Sequence, residues 1–215
     1  MAILGDVERR AVRFLVAGAP GAGKTALANR LLHDSARPTA AERPFPSAAS
    51  LAAAVRELLP QATVGADHYF VRGEHAFVLD DRPADGDRDA ALLAAACLAD
   101  GALVVVDAIA GLTAAAAAAL VRAADLRLPY TIVAVNKMDR VGFEYEVFKA
   151  IRTQVAEHAH LLGPRGIAIV PVSAWLGFNV VVPGEALEWY PDRTLLDWLV
   201  TAADHRAARA AAHAQ

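Results

Sequence analysis

Eight residues restrict this chain more than any other feature: Gly18, Ala19, Pro20, Gly21, Ala22, Gly23, Lys24 and Thr25. They meet every fixed position of the pattern G-x-x-x-x-G-K-[ST]. An apolar run at 14–17 precedes them and a helical stretch at 24–32 begins inside them. A strand, a glycine-rich turn and a helix in that order turn backbone N–H groups inward, at the positive end of the helix dipole. Glycine at positions 18, 21 and 23 keeps Cβ atoms out of the way. Lys24 adds a mobile cation, and the Thr25 hydroxyl suits Mg²⁺. The expectation is a cradle for β- and γ-phosphates, with Lys24 as its catalytic cation.

The remainder of the chain fits the sheet that such a loop requires. Strands are expected at 13–17, 69–72, 76–80, 102–107, 131–136 and 167–172. Most of these contain continuous apolar runs, as parallel strands covered on both faces do. Helices are expected at 24–32, 89–98, 114–126, 144–162 and 194–208. Only Gly73, Glu74 and His75 separate the second and third strands, which fits a hairpin. The predicted fold is α/β: a mostly parallel six-stranded sheet with one antiparallel strand and helices on both faces. Residues 37–47 hold Pro38, Pro44 and Pro46 and read as a loop, with a short helix at 51–59 stopped by Pro60. Residues 1–11 read as an extension, 12–205 as one domain and 206–215 as an alanine-rich tail.

Composition removes several alternatives. Of 215 residues, 56% are hydrophobic and 21% charged, which excludes a disordered chain. The most apolar stretch, 101–121, is broken by Asp107, Gly111 and Thr113, so it is a poor membrane span. Asp6, Glu8, Arg9, Arg10 and Arg13 make the first residues too charged for a signal peptide. Cys97 is the only cysteine and has no internal partner, so the expected location is the cytoplasm. A net charge of −3 offers no electrostatic case for nucleic acid or a membrane surface.

A second motif follows the strand at 131–136: Asn136, Lys137, Met138 and Asp139. The carboxyl end of a strand is where open α/β sheets bind ligands. N-K-x-D resembles the guanine-recognition motif of P-loop GTPases. The Asp139 carboxylate can accept from N1–H and the exocyclic amine, a donor pair adenine lacks. The Lys137 stem can lie across the purine, and Asn136 can tie this turn to the phosphate loop. Ser173 and Ala174 end the last strand, where the resemblance to such GTPases implies a serine–alanine pair with the alanine N–H at guanine O6. A carboxylate left unpaired by the wrong base makes such a site selective.

Together these residues resemble the G domain of translation-factor-class P-loop GTPases, and among them the GTPase subunits of bacterial two-subunit sulfate adenylyltransferases. The likeness is carried by Arg13-Phe14-Leu15, by Asn29-Arg30-Leu31-Leu32-His33-Asp34-Ser35, and by Val135-Asn136-Lys137-Met138-Asp139. Phe148-Lys149, Val170-Pro171-Val172-Ser173-Ala174, Gly177-Phe178-Asn179-Val180 and the stretch from Trp189 to Leu196 extend it over residues 12–200. That last stretch is similar to the family's W-Y-x-G-P-T-L-L. The β-barrel domains that follow in the family have no counterpart in these residues. The resemblance implies GTP or GDP with Mg²⁺, and a protein partner of the adenylyltransferase kind. It completes the nucleotide-contacting set with Ala26 and Trp175.

Departures from the family pattern lie in its two switch segments. Its D-T-P-G-H aligns with Asp81, Arg82, Pro83, Ala84 and Asp85. Asp81 is retained and implies a water-mediated hold on Mg²⁺. Ala84 replaces the γ-phosphate-sensing glycine, and Asp85 replaces the water-positioning histidine. A carboxylate beside a γ-phosphate is unfavourable for hydrolysis. The switch threonine of the family falls near Ala62–Thr63, where the surrounding pattern is eroded and the preceding segment shortened; Thr63 is a candidate third metal ligand. Nucleotide binding is expected to survive these changes better than switching does. The acidic run of Asp80, Asp81, Asp85, Asp87 and Asp89 lacks EF-hand spacing and reads as a solvated loop.

Overall fold

The computed structural model describes residues 11–36, 63–64, 67–72, 74–81, 99–159 and 167–213. In chain order these form β1 (Val12–Gly18), α1 (Lys24–Ser35), β2 (Thr63–Val64), β3 (Asp67–Arg72), β4 (His75–Asp80) and β5 (Gly101–Asp107). They continue with α2 (Ala114–Asp125), β6 (Tyr130–Asn136), α3 (Tyr145–Ala159), β7 (Ile167–Pro171) and α4 (Leu195–His213). Short 3₁₀ turns lie at Met138–Val141 and Glu185–Leu187. The expected loop at 37–47, the helices at 51–59 and 89–98, Cys97, Ala84 and Asp85 lie outside the described residues.

One sheet runs in the order β2-β3-β4-β1-β5-β6-β7. β1 pairs parallel with both β4 and β5, and β5, β6 and β7 continue parallel. β3 runs antiparallel to β4, with Arg72 opposite His75 as the short turn requires. All six expected strands are present. A seventh, β2, pairs antiparallel with β3 at the outer edge. Two residues are too few to carry a period-2 pattern, which is why six were expected.

The apolar strands have no polar face because both faces are covered. On β5, Leu103 and Val105 pack with Leu27, Leu31 and Leu32 of α1 and Leu195 and Leu199 of α4. The alternate residues Ala102, Val104 and Val106 pack with Ala116 and Leu120 of α2 and Phe148, Ile151 and Val155 of α3. β6 divides the same way, Ile132 and Ala134 to one side, Val133 and Val135 to the other. Burial of a large aliphatic side chain of this kind contributes roughly 1.5–3 kcal/mol. The sheet is therefore the centre of two apolar layers.

Helix starts are locally encoded. The Thr113 hydroxyl accepts from the Ala116 N–H at 3.3 Å and caps α2. At α4, Thr194 and Asp197 form a reciprocal box: Asp197 N–H donates to the Thr194 hydroxyl, and Thr194 N–H to the Asp197 carboxylate, both at 3.2 Å. α4 runs to His213, past the expected end at 208, on alanine-rich sequence with high helix propensity. Arg206 packs it down: its guanidinium donates to the Ala11 carbonyl at 2.7 Å and pairs with Asp100 at 3.1 Å.

The topology sets the site. Neighbours of β1 lie on opposite sides and come from different parts of the chain, so a crevice opens at its carboxyl end. β1, β4, β5, β6 and β7 all point the same way, so Gly18, Asp80, Asp107, Asn136 and Pro171 end at one edge.

Candidate functional site

The loop after β1 is held by close contacts at its two ends and is open between them. Gly18 has φ +138°, and a Cβ there would lie 2.2 Å from the Val105 carbonyl oxygen. Gly23 has φ +91°, and a Cβ there would lie 2.5 Å from the Asn136 amide nitrogen. Only glycine meets both demands. At Gly21 a Cβ would meet nothing, and Pro20, Gly21 and Thr25 are exposed. Ala19 and Ala26 are half-buried, while Ala22 is buried. The Lys24 ammonium folds back over the loop, donating to the carbonyls of Gly18 at 3.1 Å and Ala19 at 3.0 Å.

Asn136 links three segments. It is 2% exposed at the end of β6. Its amide nitrogen donates to the Ala22 carbonyl at 3.0 Å, and its oxygen accepts from the Ala174 N–H at 3.0 Å. The phosphate-loop motif and the serine–alanine turn are thus joined through one buried side chain. Ser173 donates its hydroxyl to the Asp139 carboxylate at 2.6 Å and accepts from the Leu176 N–H at 3.1 Å. Trp175 is 42% exposed beside this turn.

Beneath the turn lies a residue whose part in the site was not expected. Arg30 of α1 is 1% exposed, with its Nε donating to Asp34 at 2.6 Å. Its terminal nitrogens donate to the carbonyls of Trp175 at 3.2 Å and Leu176 at 3.3 Å. His33 in turn contacts the other Asp34 oxygen at 2.8 Å. Gly177 leaves room for this guanidinium, since a Cβ there would fall 2.1 Å from it. The motif Asn29–Ser35 carried the resemblance, but periodicity places Arg30 on a helix without saying what it meets.

Lys137 has φ +66°, in the left-handed region, which turns its side chain toward β5. Its ammonium donates to Asp107 at 2.6 Å. The other Asp107 oxygen accepts from the Ile109 N–H at 2.8 Å. Burial raises the Asp107 pKa, but the Lys137 bond and charge and the backbone donors outweigh it and hold the carboxyl below its ordinary value. The sequence offered Asp107 only as a break in an apolar run.

On the other side of the loop, the Thr25 hydroxyl donates to Asp81 at 2.5 Å. His68 of β3 approaches the same carboxylate oxygen at 3.9 Å. Two of the three expected metal ligands are thus in contact. Thr63 lies in β2, separated from β1 by β3 and β4, and its side chain is outside the described residues. An oxygen pair beside an open glycine loop fits a hard divalent cation. Among the described residues no cluster of three or more His, Cys, Asp or Glu side chains could hold a metal. Nor is any helix among them long and apolar enough to cross a membrane.

The comparisons with known proteins agree with this geometry. Sulfate adenylyltransferase subunit 1 of Shewanella oneidensis is 32% identical over 206 residues, covering 88% of this chain and 42% of the relative. The protein of the same name from Aeromonas hydrophila is 33% identical over 212 residues, covering 89% of this chain and 44% of its own length. The chain thus spans less than half the length of these relatives. Among solved structures, sup35 complexed with GDP superposes with a TM-score of 0.62 at 21% identity, over 88% of this chain and 44% of that one. The elongation factor Tu GTP binding domain family matches residues 9–205, and the chain belongs to that family.

Proposed function

We propose that this chain binds guanine nucleotides with Mg²⁺ and acts, as the GTPase-type subunit of a sulfate-activating adenylyltransferase, on a protein partner. The observation that carries the nucleotide reading is the Asn136 link, which fixes the phosphate loop and the Ser173-Ala174 turn in one frame. Within that frame the backbone N–H groups of Ala19, Gly21, Ala22 and Gly23 would line the cradle, with Gly18 and Pro20 shaping the turn and Lys24 supplying positive charge. Asp139, oriented by Ser173, would accept from the guanine edge, Ala174 N–H and Trp175 would flank the base, and Ala26 would follow at the start of α1. Thr25, with Asp81 behind it, would hold Mg²⁺, and the bound metal would neutralise phosphate charge. Thr63 is the candidate third ligand. Names of the relatives support the subunit reading, and the lone Cys97 supports a reducing, cytoplasmic setting.

A second reading is favoured by Ala84 and Asp85: a G domain that holds GTP or GDP as a scaffold or regulator with little hydrolysis. Its backbone at 84 is less free than a glycine, and Asp85 would repel a γ-phosphate that a neutral histidine tolerates.

One experiment separates the readings. Labelled GTP, GDP and ATP are titrated onto the full chain with Mg²⁺ and with EDTA, followed by single-turnover hydrolysis. Guanine preference is expected, with Asp139→Ala weakening GTP roughly tenfold to a hundredfold, the scale of a charged hydrogen bond. Equal affinity for ATP and GTP would remove the guanine pocket. Slow hydrolysis that rises in the Ala84→Gly, Asp85→His double variant would support the scaffold reading; rapid turnover by the unmodified chain would defeat it.

A further inference from the structure

Lys137 lies in the N-K-x-D turn, yet its ammonium is committed to a residue of a different strand. Asp107 ends β5, and the parallel register sets it opposite Asn136, the residue before Lys137. The left-handed backbone at Lys137 then sends its side chain across the gap to the 2.6 Å ion pair. The two side chains are 33% and 16% exposed, so the pair is partly shielded from solvent.

Asp107 is itself fixed. One oxygen accepts from Ile109 N–H, and the turn closes through Gly111 N–H on the Asp107 carbonyl at 2.9 Å. Gly111 can do this because its φ is +68°. The carboxylate is thus anchored to its own turn by one oxygen and offers the other to Lys137.

We infer that Asp107 is a positioning residue for the guanine base: it holds the Lys137 stem extended before the nucleotide arrives. This rests on the guanine-nucleotide reading above. A free lysine carries many rotamers, and ordering such a side chain on binding opposes association. With the ammonium already tethered, the aliphatic stem presents a preset apolar edge to a purine face. The pair also neutralises a cation beside the base, leaving Asp139 as the charge that reads the base edge. Asp107 touches no nucleotide atom in this scheme and acts only through Lys137.

The test compares Asp107→Asn, Lys137→Met and the double variant, using release of fluorescent GDP and IDP from the full chain. Asparagine keeps an oxygen for Ile109 N–H and loses the ion pair, so a purely turn-forming role predicts no change. The tethering role predicts GDP release faster by roughly threefold to tenfold, the scale of one long side chain left unordered. It further predicts an unchanged GDP-to-IDP preference, because only Asp139 reads the exocyclic amine. Methionine at 137 keeps most of the apolar stem without the tether, and adding Asp107→Asn to it should have no further effect. Unchanged GDP release in a folded Asp107→Asn protein, or additive effects in the double variant, overturns the inference while leaving the nucleotide reading intact. If the unmodified chain fails to bind GDP, the nucleotide reading fails and takes this inference with it. Should Asp107→Asn not fold, Lys137→Met and Lys137→Arg supply the same comparison, with arginine expected to retain the tether.

Discussion

The two sides of the phosphate loop are built differently. On the base side, Asn136, Ser173, Ala174 and Arg30 are all buried and bonded to one another's segments. On the metal side, exposed Thr25 meets Asp81 through one side-chain hydrogen bond. The base side is an extension of the core: removing any member leaves buried polar groups unmet. The metal side is tied by fewer bonds, although its Asp81 carboxylate is nearly buried beside His68. The division also follows the family pattern, since the base-side motifs are intact and the departures fall near Thr63 and after Asp81. A site can therefore keep its recognition frame while its chemistry drifts, because the frame is paid for by folding itself.

That contrast can be broken first at Arg30. Arg30→Met leaves Asp34 buried without its guanidinium and frees the Trp175 and Leu176 carbonyls. Urea unfolding should show a loss of about 3–5 kcal/mol, the usual cost of breaking a buried pair from one end. A loss below about 1 kcal/mol would mean the base side is not core-like. Next, Asn136→Ala should cost about 1–3 kcal/mol for each partner left unmet, Ala22 carbonyl and Ala174 N–H. The same variant should weaken GDP more than it weakens inorganic diphosphate, because it separates base turn from phosphate loop; equal losses would place the link elsewhere. The smallest effect is expected at Thr25. Thr25→Ala should change stability by about 1 kcal/mol, the scale of the one hydrogen bond lost to Asp81, yet abolish the Mg²⁺ dependence of GTP affinity. A Thr25→Ala protein that still responds to EDTA would show that the metal ligands are misassigned.

The legible parts of this molecule are those where one segment carries its own signal. Residues 102–106 read as a buried strand because both faces demand apolar side chains, and Gly18 to Thr25 read as a loop because glycine and lysine spacing is local. Asn136 and Asp139 were visible for the same reason. The pairing of Lys137 with Asp107 was not, because it depends on the register of β5 against β6 and on a left-handed backbone at a non-glycine residue. Arg30 escaped similarly: its partners Trp175 and Leu176 reach it only after the whole sheet is assembled. Two-residue β2 carries too little pattern to be seen, and α4 outran its expected end because alanine continues a helix without any periodic mark.

Arg206 has a practical consequence for anyone cutting or fusing this domain. Its guanidinium fastens the Ala11 carbonyl and Asp100, and Asp100 in turn accepts from the Arg13 N–H at 2.9 Å. These contacts join the starts of β1 and β5, the opposite end of the sheet from the phosphate loop. A protein truncated after residue 205 loses the fastening while keeping every nucleotide motif, and β1 would begin to fray from its first residue. A reporter or tag is better joined beyond His213, where the helix has already made this contact and its outer side chains lie in solvent.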